Sequence, residues 1–531
     1  MNSEKDARIY DHPVVKFDRG KEVTIYLENK PVKAYENETV ASALYAAGLR
    51  IFSRSFKYHR PRGFFCAIGK CASCMMTVDG LPNIRTCVTP VKNGMKISRQ
   101  NAFPNAEHDI LNIVDKLSFY FSQSSGFYHR RFTKPSFIRN LSMNSLARFG
   151  GLGKLPEDTN ENHDLKPKTV NLDVEVVIIG GGPAGLMAAL EAGKLCKKVI
   201  IIDDKPMLGG QLVKQTHRFF GAAKYYAGIR GTKIAEELIT SIDDLKSIRS
   251  LTNTWAFGVF GNKIIGAVQE NKLLNIQAKK IIVTTGAYER TLVFENNDLP
   301  GIYGAGGVQT LMNTYAVNPG SKSLIIGSGN VGLILAYQLL QSGVDVPAVV
   351  EALPTIGGYF VHAAKVRRYG VKFMPRYTIA KALGRKKVEG AILVALDEKW
   401  KPIEGTQKTI KCDSICIAVG LIPTYELVQQ AGAELRFSGE LGGFVPLRTK
   451  YSEVTDGIYV AGDLSGIEEA TTAMLEGQVA GLHASLNLGY DDDNVDKQMK
   501  ELLKELDEER SGPFGSRIRK GLVKVMVDKV N

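Results

Sequence analysis

At 531 residues the chain is too long for one hydrophobic core, so two to four domains are expected. A hydrophobic share of 44% and a charged share of 23% are those of a soluble globular protein. The net charge of +13 is spread along the chain without a nucleic-acid-binding module, so nucleic acid is not the expected partner. There is no apolar run of 18 residues, and the opening MNSEKDARIY has no apolar core. On these features neither a membrane-spanning helix nor an export signal is expected, and a cytoplasmic protein is.

In chain order, VTIYLENKPVKAY alternates and breaks at Asn29 and Lys30, as a hairpin does. Thr39 is placed to cap a short helix, VASALYAAG, which stops at Gly48. The loop FFCAIGKCASC follows, then a strand MMTVDG, a turn and IRTCVTPV. Four of the seven cysteines, Cys66, Cys71, Cys74 and Cys87, fall within 22 residues, and in a chain without an export signal such crowding points to metal. Their spacing is C-x4-C-x2-C, with twelve residues between the third and the fourth cysteine. Two irons bridged by two sulphides take three thiolates from one wrapping loop and a fourth from a neighbouring strand, and this is the plant-type 2Fe-2S spacing. Gly69 suits a loop whose amides turn toward sulphur. A structural zinc site is the alternative, although such sites usually pair two C-x2-C knuckles and a second is missing here. The segment SGFYHRRFTKPSFIRN (125–140) is basic and aromatic: a docking face for an acidic partner, or a solvated linker.

VEVVIIGGGPAGLMAALEAG (174–193) reads as a buried strand, a glycine turn and a helix, with Gly180, Gly182 and Gly185 forming G-x-G-x-x-G. The strand KKVIIIDD ends at Asp203 and Asp204, Asp203 standing 18 residues after Gly185, where an acid accepts hydrogen bonds from ribose hydroxyls. Three further pieces favour FAD: LGGQL with Gly210 and Gln211, a strand ending in the turn at Thr285 and Gly286, and DGIYVAGDLSG with Gly462 and Asp463 at a strand end. The helix EEATTAMLEGQVAG comes next, its N-terminus available to a phosphate.

A second fingerprint, Gly327, Gly329 and Gly332, opens a nested fold whose second strand ends at Glu351, 19 residues after Gly332. No arginine stands beside Glu351, which favours NAD(H) over NADP(H), unless the fold is structural only and holds no nucleotide. Cys196, Cys412 and Cys416 form no motif. Cys412 and Cys416 lie about 13 Å apart on a strand at its usual rise, too far for a disulfide, and the pair of cysteines that disulfide reductases carry is missing from the flavin-type domain.

With these motifs in hand, the chain resembles the α subunits of heterotetrameric sarcosine oxidase, opine oxidase, hydrogen cyanide synthase and dye-linked proline dehydrogenase. The resemblance runs through RSFKYHRPRGFFCAIGKC, MMTVDGLPNIRTCVTPV, RQNAFPNAEHDIL, SGFYHRRFTKPSF, TTGAYERTLVFENNDLPGIYGAGGVQTL and YVAGDLSGIEEATTAMLEGQVAG. It implies an amine-oxidising flavoprotein (β-type) partner subunit that binds the small-molecule substrate, with a flavin such as FMN at the subunit interface. It also implies that the first nucleotide site holds FAD, NAD or another adenine nucleotide. Two departures stand out. The cluster cysteines are complete, and no folate-binding half follows, which points toward the dehydrogenase, opine and cyanide branches. Ala72 also stands where ferredoxin-like loops usually have glycine.

The expected architecture is α+β followed by α/β. A ferredoxin-like β-grasp domain (1–100) and a linker or interface segment (101–170) precede a discontinuous FAD-type Rossmann-like domain (171–320 and 410–490). An NAD-type domain (321–409) is nested in it, and a helical tail (491–531) follows, its charged helix solvated or at an interface. The expected function is that of an electron-transferring, nucleotide-binding subunit of an amine or imino-acid dehydrogenase or oxidase. The alternatives are a self-sufficient NAD(P)H-dependent FAD/2Fe-2S reductase and a scaffold with a non-redox nucleotide.

Overall fold

The computed structural model describes residues 6–56, 58–113, 115, 167–219, 223–490, 493–512 and 515–530; the basic, aromatic stretch 125–140 and most of the linker expected over 101–170 lie outside them. By internal contacts the chain divides into two compact units, Met1–Glu161 with Glu289–Val419, and Asn162–Tyr288 with Gly420–Asn531. Among the described residues no helix is long and apolar enough to cross a membrane.

In the first unit, β1 (Glu22–Leu27) and β2 (Lys30–Tyr35) pair antiparallel about Glu28 and Asn29, both at positive φ. The turn thus sits one residue before the expected break, because Lys30 is already paired with Leu27. The helix α1 (Val40–Ala46) begins at a capping box: Thr39 Oγ1 accepts the Ser42 N–H (3.2 Å) and Ser42 Oγ accepts the Thr39 N–H (2.9 Å). Gly48 follows its end at φ +95, in the left-handed conformation that stops a helix. β3 (Met75–Val78) and β4 (Leu81–Arg85) form a second hairpin. β5 (Lys96–Ser98), which the sequence reading lacked, lies at the centre of the sheet, in the order β2-β1-β5-β3-β4, parallel to β1. Three residues are too few to show an alternating pattern, so only its two neighbours define it as a strand.

The second unit is built on β6 (Lys168–Ile179), α2 (Pro183–Leu195), β7 (Val199–Ile202), β8 (Ile248–Leu251), β9 (Thr254–Phe260), β10 (Ile264–Gln269) and β11 (Lys272–Val283). The order is β8-β7-β6-β11-β10-β9, with β6, β7, β8 and β11 parallel. The apolar half of β6, Val176 to Ile179, is buried, as a strand covered on both faces requires.

Within the first unit again, β12 (Ile302–Gly304), β13 (Ser323–Ile326), β14 (Ala348–Glu351), β15 (Lys372–Pro375) and β16 (Ser414–Ile417) make an all-parallel sheet in the order β12-β16-β13-β14-β15. The helices α3 (Ala305–Gln309) and α4 (Asn330–Gln341) follow β12 and β13. Because β12 and β16 are strands of this sheet, the nested segment is longer than 321–409 and groups with the N-terminal module as Glu289–Val419.

The second unit closes with β17 (Ile458–Val460), added parallel to β11, and with α5 (Ala470–Leu486), α6 (Asp493–Glu509) and α7 (Gly515–Val525). The α6 helix, read from sequence as solvated or interfacial, buries Val495, Met499, Leu502 and Leu506 against Leu475, Val479 and Leu482 of α5. Spacings of four, three and four residues make that apolar stripe, which the surrounding charges obscure in a composition-based reading.

Candidate functional site

The four clustered cysteines come together in the first unit. Cys66, Cys74 and Cys87 are buried and Cys71 is partly exposed. The Cys66 thiol hydrogen-bonds with those of Cys71 and Cys87, and Cys74 with Cys87. The Cys71 N–H lies 3.4 Å from the Cys66 sulphur. Those thiol contacts, reinforced by backbone N–H groups of Cys71 and Ile68, hold Cys66 far below the usual thiol range. Cys87 does not stand on a strand, as expected, but in the 3-10 turn Thr86–Val88. Thr86 Oγ1 donates to the Cys74 carbonyl (2.6 Å), tying this turn to the loop. Among the described residues no three His, Cys, Asp or Glu side chains are grouped so as to hold a single metal ion; the thiol contacts instead run in a chain from Cys71 through Cys66 and Cys87 to Cys74. Four thiols strung out in this way suit two bridged irons better than a single zinc, which draws four ligands onto one point.

In the second unit, the fingerprint turn caps α2, with Gly182 as N-cap and Pro183 in the first turn. A Cβ on Gly185 would lie 1.8 Å from the Gly180 carbonyl oxygen, so only glycine admits this packing of helix on strand. Thr284, which the sequence reading passed over, donates from Oγ1 to the Gly180 carbonyl (2.7 Å) and braces the turn. Asp203 accepts the Gly181 N–H (2.7 Å) and the Lys205 N–H (2.8 Å), and burial, with the Asp204 charge beside it, pushes its carboxyl up to about 6. Asp204 is exposed and paired with Lys205 Nζ (2.7 Å), so of the two expected acids Asp203 stands at the glycine turn. Gly210 lies against Gly182, the Gly209 N–H reaches the Gly181 carbonyl (2.7 Å), and Gln211 is exposed. Thr285 donates to the Thr424 carbonyl (2.9 Å), and the Gly286 carbonyl accepts the Thr424 N–H (2.9 Å). Gly462 approaches Ala184 in the first turn of α2, and this brings Asp463 to the same end of the helix. Burial, with the Glu476 and Glu468 charges adding to it, raises the Asp463 carboxyl to about 7.

Behind Asp463 is an ionic brace that no motif announces. Glu476 Oε2 accepts the Gly462 N–H (2.9 Å) and the Ser465 hydroxyl. Its Oε1 receives Arg448 (3.3 Å) and Arg510 (2.6 Å), and Arg510 also holds Glu468 through two bonds of 2.9 and 2.6 Å. Burial opposes ionisation of Glu476, but Arg448 and Arg510 outweigh it and hold the carboxyl low. Arg510 immediately follows α6, so the tail reaches the dinucleotide end of the domain.

The nested fold repeats this construction. Glu351 Oε2 accepts the Ser328 N–H (2.8 Å) and hydroxyl (2.6 Å), as Asp203 accepts Gly181. A Cβ on Gly332 would lie 2.2 Å from the Gly327 carbonyl oxygen, and Gly329 is the N-cap of α4. Gly357 and Gly358, six and seven residues after Glu351 as Gly209 and Gly210 are after Asp203, donate to Ser328 Oγ (3.1 Å) and to its carbonyl (2.9 Å). The sequence held that signal in the second Gly-Gly pair. Cys412 and Cys416 are buried and unbridged, and burial pushes Cys412 up to about 12 and Cys416 higher.

Comparison with known proteins agrees with this arrangement. Residues 20–102 match the 2Fe-2S iron-sulfur cluster binding domain, and residues 174–477 match pyridine nucleotide-disulphide oxidoreductase. The sarcosine oxidase subunit alpha of Rhizobium meliloti (strain 1021) is 30% identical over 460 residues, covering 83% of this chain and 44% of that protein. The hydrogen cyanide synthase subunit HcnB of Pseudomonas aeruginosa is 26% identical over 330 residues, 59% of this chain and 70% of that one. The crystal structure of L-proline dehydrogenase from P. horikoshii superposes with a TM-score of 0.64 at 26% identity, covering 92% of this chain and 79% of that chain. The chain spans less than half the length of the sarcosine oxidase relatives, 44% and 45% of two of them. It belongs to the pyridine nucleotide-disulphide oxidoreductase family and carries a 2Fe-2S cluster-binding domain ahead of that fold.

Proposed function

We propose that this chain is the electron-transferring, nucleotide-binding subunit of a multi-subunit dehydrogenase or oxidase acting on CH–NH bonds of a sarcosine-, proline- or opine-type substrate. One observation carries this reading. The family fold here has no cysteine pair of its own, since Cys196, Cys412 and Cys416 are each buried and unbridged, while four thiols gather in the N-terminal domain. The outlet for electrons is then the cluster rather than a disulfide. Cys66, Cys71, Cys74 and Cys87 are its ligands. The glycine turn at Gly180, Gly182 and Gly185, with Asp203 and Asp463, holds FAD. When bound, a flavin would supply two-electron chemistry and a 2Fe-2S cluster one-electron transfer. The glycine turn at the N-terminus of α2 would hold the diphosphate, and Asp203 and Asp463 would receive ribose or ribityl hydroxyls. The relatives are named as subunits, which supports a multi-subunit assembly; in this reading the partner is an amine-oxidising flavoprotein that binds the substrate, with FMN at the shared interface.

The test is an absorption spectrum of the purified chain, acid release of its nucleotide, and co-purification from the source cell. A chain that carries zinc and no sulphide, or that is loaded with flavin yet never accompanied by a flavoprotein, would refute the reading. The well-formed second fingerprint with Glu351 favours one other reading, an NADH-dependent reductase. Bleaching of the flavin by NADH alone would establish that activity, and its absence would remove it.

A further inference from the structure

Two stretches within the segments that carry the family resemblance, Tyr-His-Arg-Pro-Arg-Gly (58–63) and Gly-Ala-Tyr-Glu-Arg (286–290), contain residues with no role in the sites described so far. Arg60, Arg62 and Gly63 of the one and Glu289 of the other belong to one seam inside the first unit. Residues 60–66, which lead into the first clustered cysteine, lie along residues 298–307 of the nested fold, contact by contact. Arg60 and Arg62 approach the Asp298 carboxylate at 3.8 and 3.3 Å. A Cβ on Gly63 would stand 2.8 Å from Pro300 Cα. The Gly304 N–H donates to the Phe65 carbonyl (3.3 Å). A Cβ on Gly307 would meet the Phe65 carbonyl oxygen at 2.3 Å and the Cys66 carbonyl carbon at 3.2 Å. The Gly307 N–H in turn donates to Glu289 Oε1 (3.0 Å), the glutamate of the second stretch. A buried contact extends the seam: the Tyr45 hydroxyl of α1 meets that of Tyr303 on β12. The helix α3 then passes into a π turn, Thr310–Thr314, a rare geometry that is frequent at functional sites.

We propose that the nested fold forms the inner wall of the cluster site, with Gly307 as the residue that positions the peptide joining Phe65 to Cys66 and Glu289 as its anchor. The reasoning is steric. A side chain at 307 has to displace backbone atoms, and the displaced peptide is the one that carries the first ligand. Backbone amides and carbonyls near the sulphurs set the potential of such a cluster, so a small shift of this peptide is read out electronically. This inference rests on the assignment of the four cysteines as cluster ligands.

The experiment uses the full chain, purified without oxygen, in wild-type form and as Gly307→Ala, Glu289→Leu and Glu289→Gln. Iron and sulphide per chain, the EPR spectrum after dithionite reduction and the midpoint potential are measured. Gly307→Ala should change the EPR g values and shift the potential, or lose iron. Glu289→Leu should shift the same signals in the same direction, because the Gly307 amide loses its acceptor. Glu289→Gln should restore the wild-type spectrum, since an amide oxygen still accepts that bond. Wild-type spectra and potential in Gly307→Ala at full iron content would overturn the proposal. If that variant does not accumulate as folded protein, an unchanged spectrum in Glu289→Leu does so instead. A wild-type chain without cluster absorption would refute the ligand assignment itself, an outcome distinct from a wild-type cluster that the variants leave untouched.

Discussion

Replacing Arg510 by methionine tests whether the C-terminal tail supports the dinucleotide site. Arg510 makes three charged hydrogen bonds, two to Glu468 and one to Glu476, and all three side chains are at least nine-tenths buried. Methionine keeps the apolar stem and removes the charge, leaving two carboxylates in a buried space with Arg448 as the remaining cation, 3.3 Å from Glu476. Removing one partner of a buried ion pair costs about 3–5 kcal/mol, and Arg448 places the expected loss at the lower end, about 3 kcal/mol. Glu476 holds the Gly462 N–H, and Asp463 accepts a backbone hydrogen bond from Glu468, so part of that loss should appear as weaker dinucleotide binding. A full transfer to binding would be roughly a hundredfold in Kd. Denaturant unfolding followed by far-UV CD gives the stability, and FAD titration of the nucleotide-depleted protein gives the affinity. Arg510→Lys, which keeps the charge and loses the two-pronged geometry, should fall between. Unchanged FAD affinity in Arg510→Met, with stability lowered as calculated, would refute the link between tail and site.

Three further outcomes are expected. Cys87→Ser should abolish the visible absorption of the cluster, whereas Cys196→Ser and Cys412→Ser should retain it, as measured by absorbance and iron content. Gly185→Ala places a Cβ 1.8 Å from a backbone oxygen, so the purified protein should lack nucleotide or fail to fold, as judged by acid release and CD. For Asp463 the sign follows from its raised carboxyl, about 7 against an ordinary 3.8. Between pH 4 and pH 7 the folded nucleotide-free chain binds more protons than the unfolded one, so this group's contribution to stability falls as pH rises. Asp463→Asn removes that penalty. Its stability gain over wild type should be absent near pH 4, grow toward pH 7 and level off above it, at roughly a few kcal/mol. A gain independent of pH would contradict this account.

The features legible in the sequence are those whose chemistry is local. Three of the four clustered cysteines lie on one loop, and each glycine fingerprint sits between a strand and a helix that adjoin it in the chain. Their spacing is therefore fixed by short-range geometry, and both β-α-β units and the β-grasp hairpin could be read directly. The sequence likewise has no 18-residue apolar run, and among the described residues no helix is long and apolar enough to cross a membrane. Features set by register or by distant partners were not legible. Asp203 and Asp204 are neighbours, and the pairing of β7 decides which one meets the Gly181 amide. β5 is a strand because β1 and β3 flank it, and Cys87 sits in a 3-10 turn tied to Cys74 by Thr86. Arg510 finds Glu476 and Glu468 34 and 42 residues away, and Phe65 finds Gly304 across more than two hundred. Local sequence determined which chemistry the chain can carry. The tertiary structure decided what holds that chemistry in place, because a buried charge or a glycine pressed on a backbone has meaning only once its distant partner has arrived.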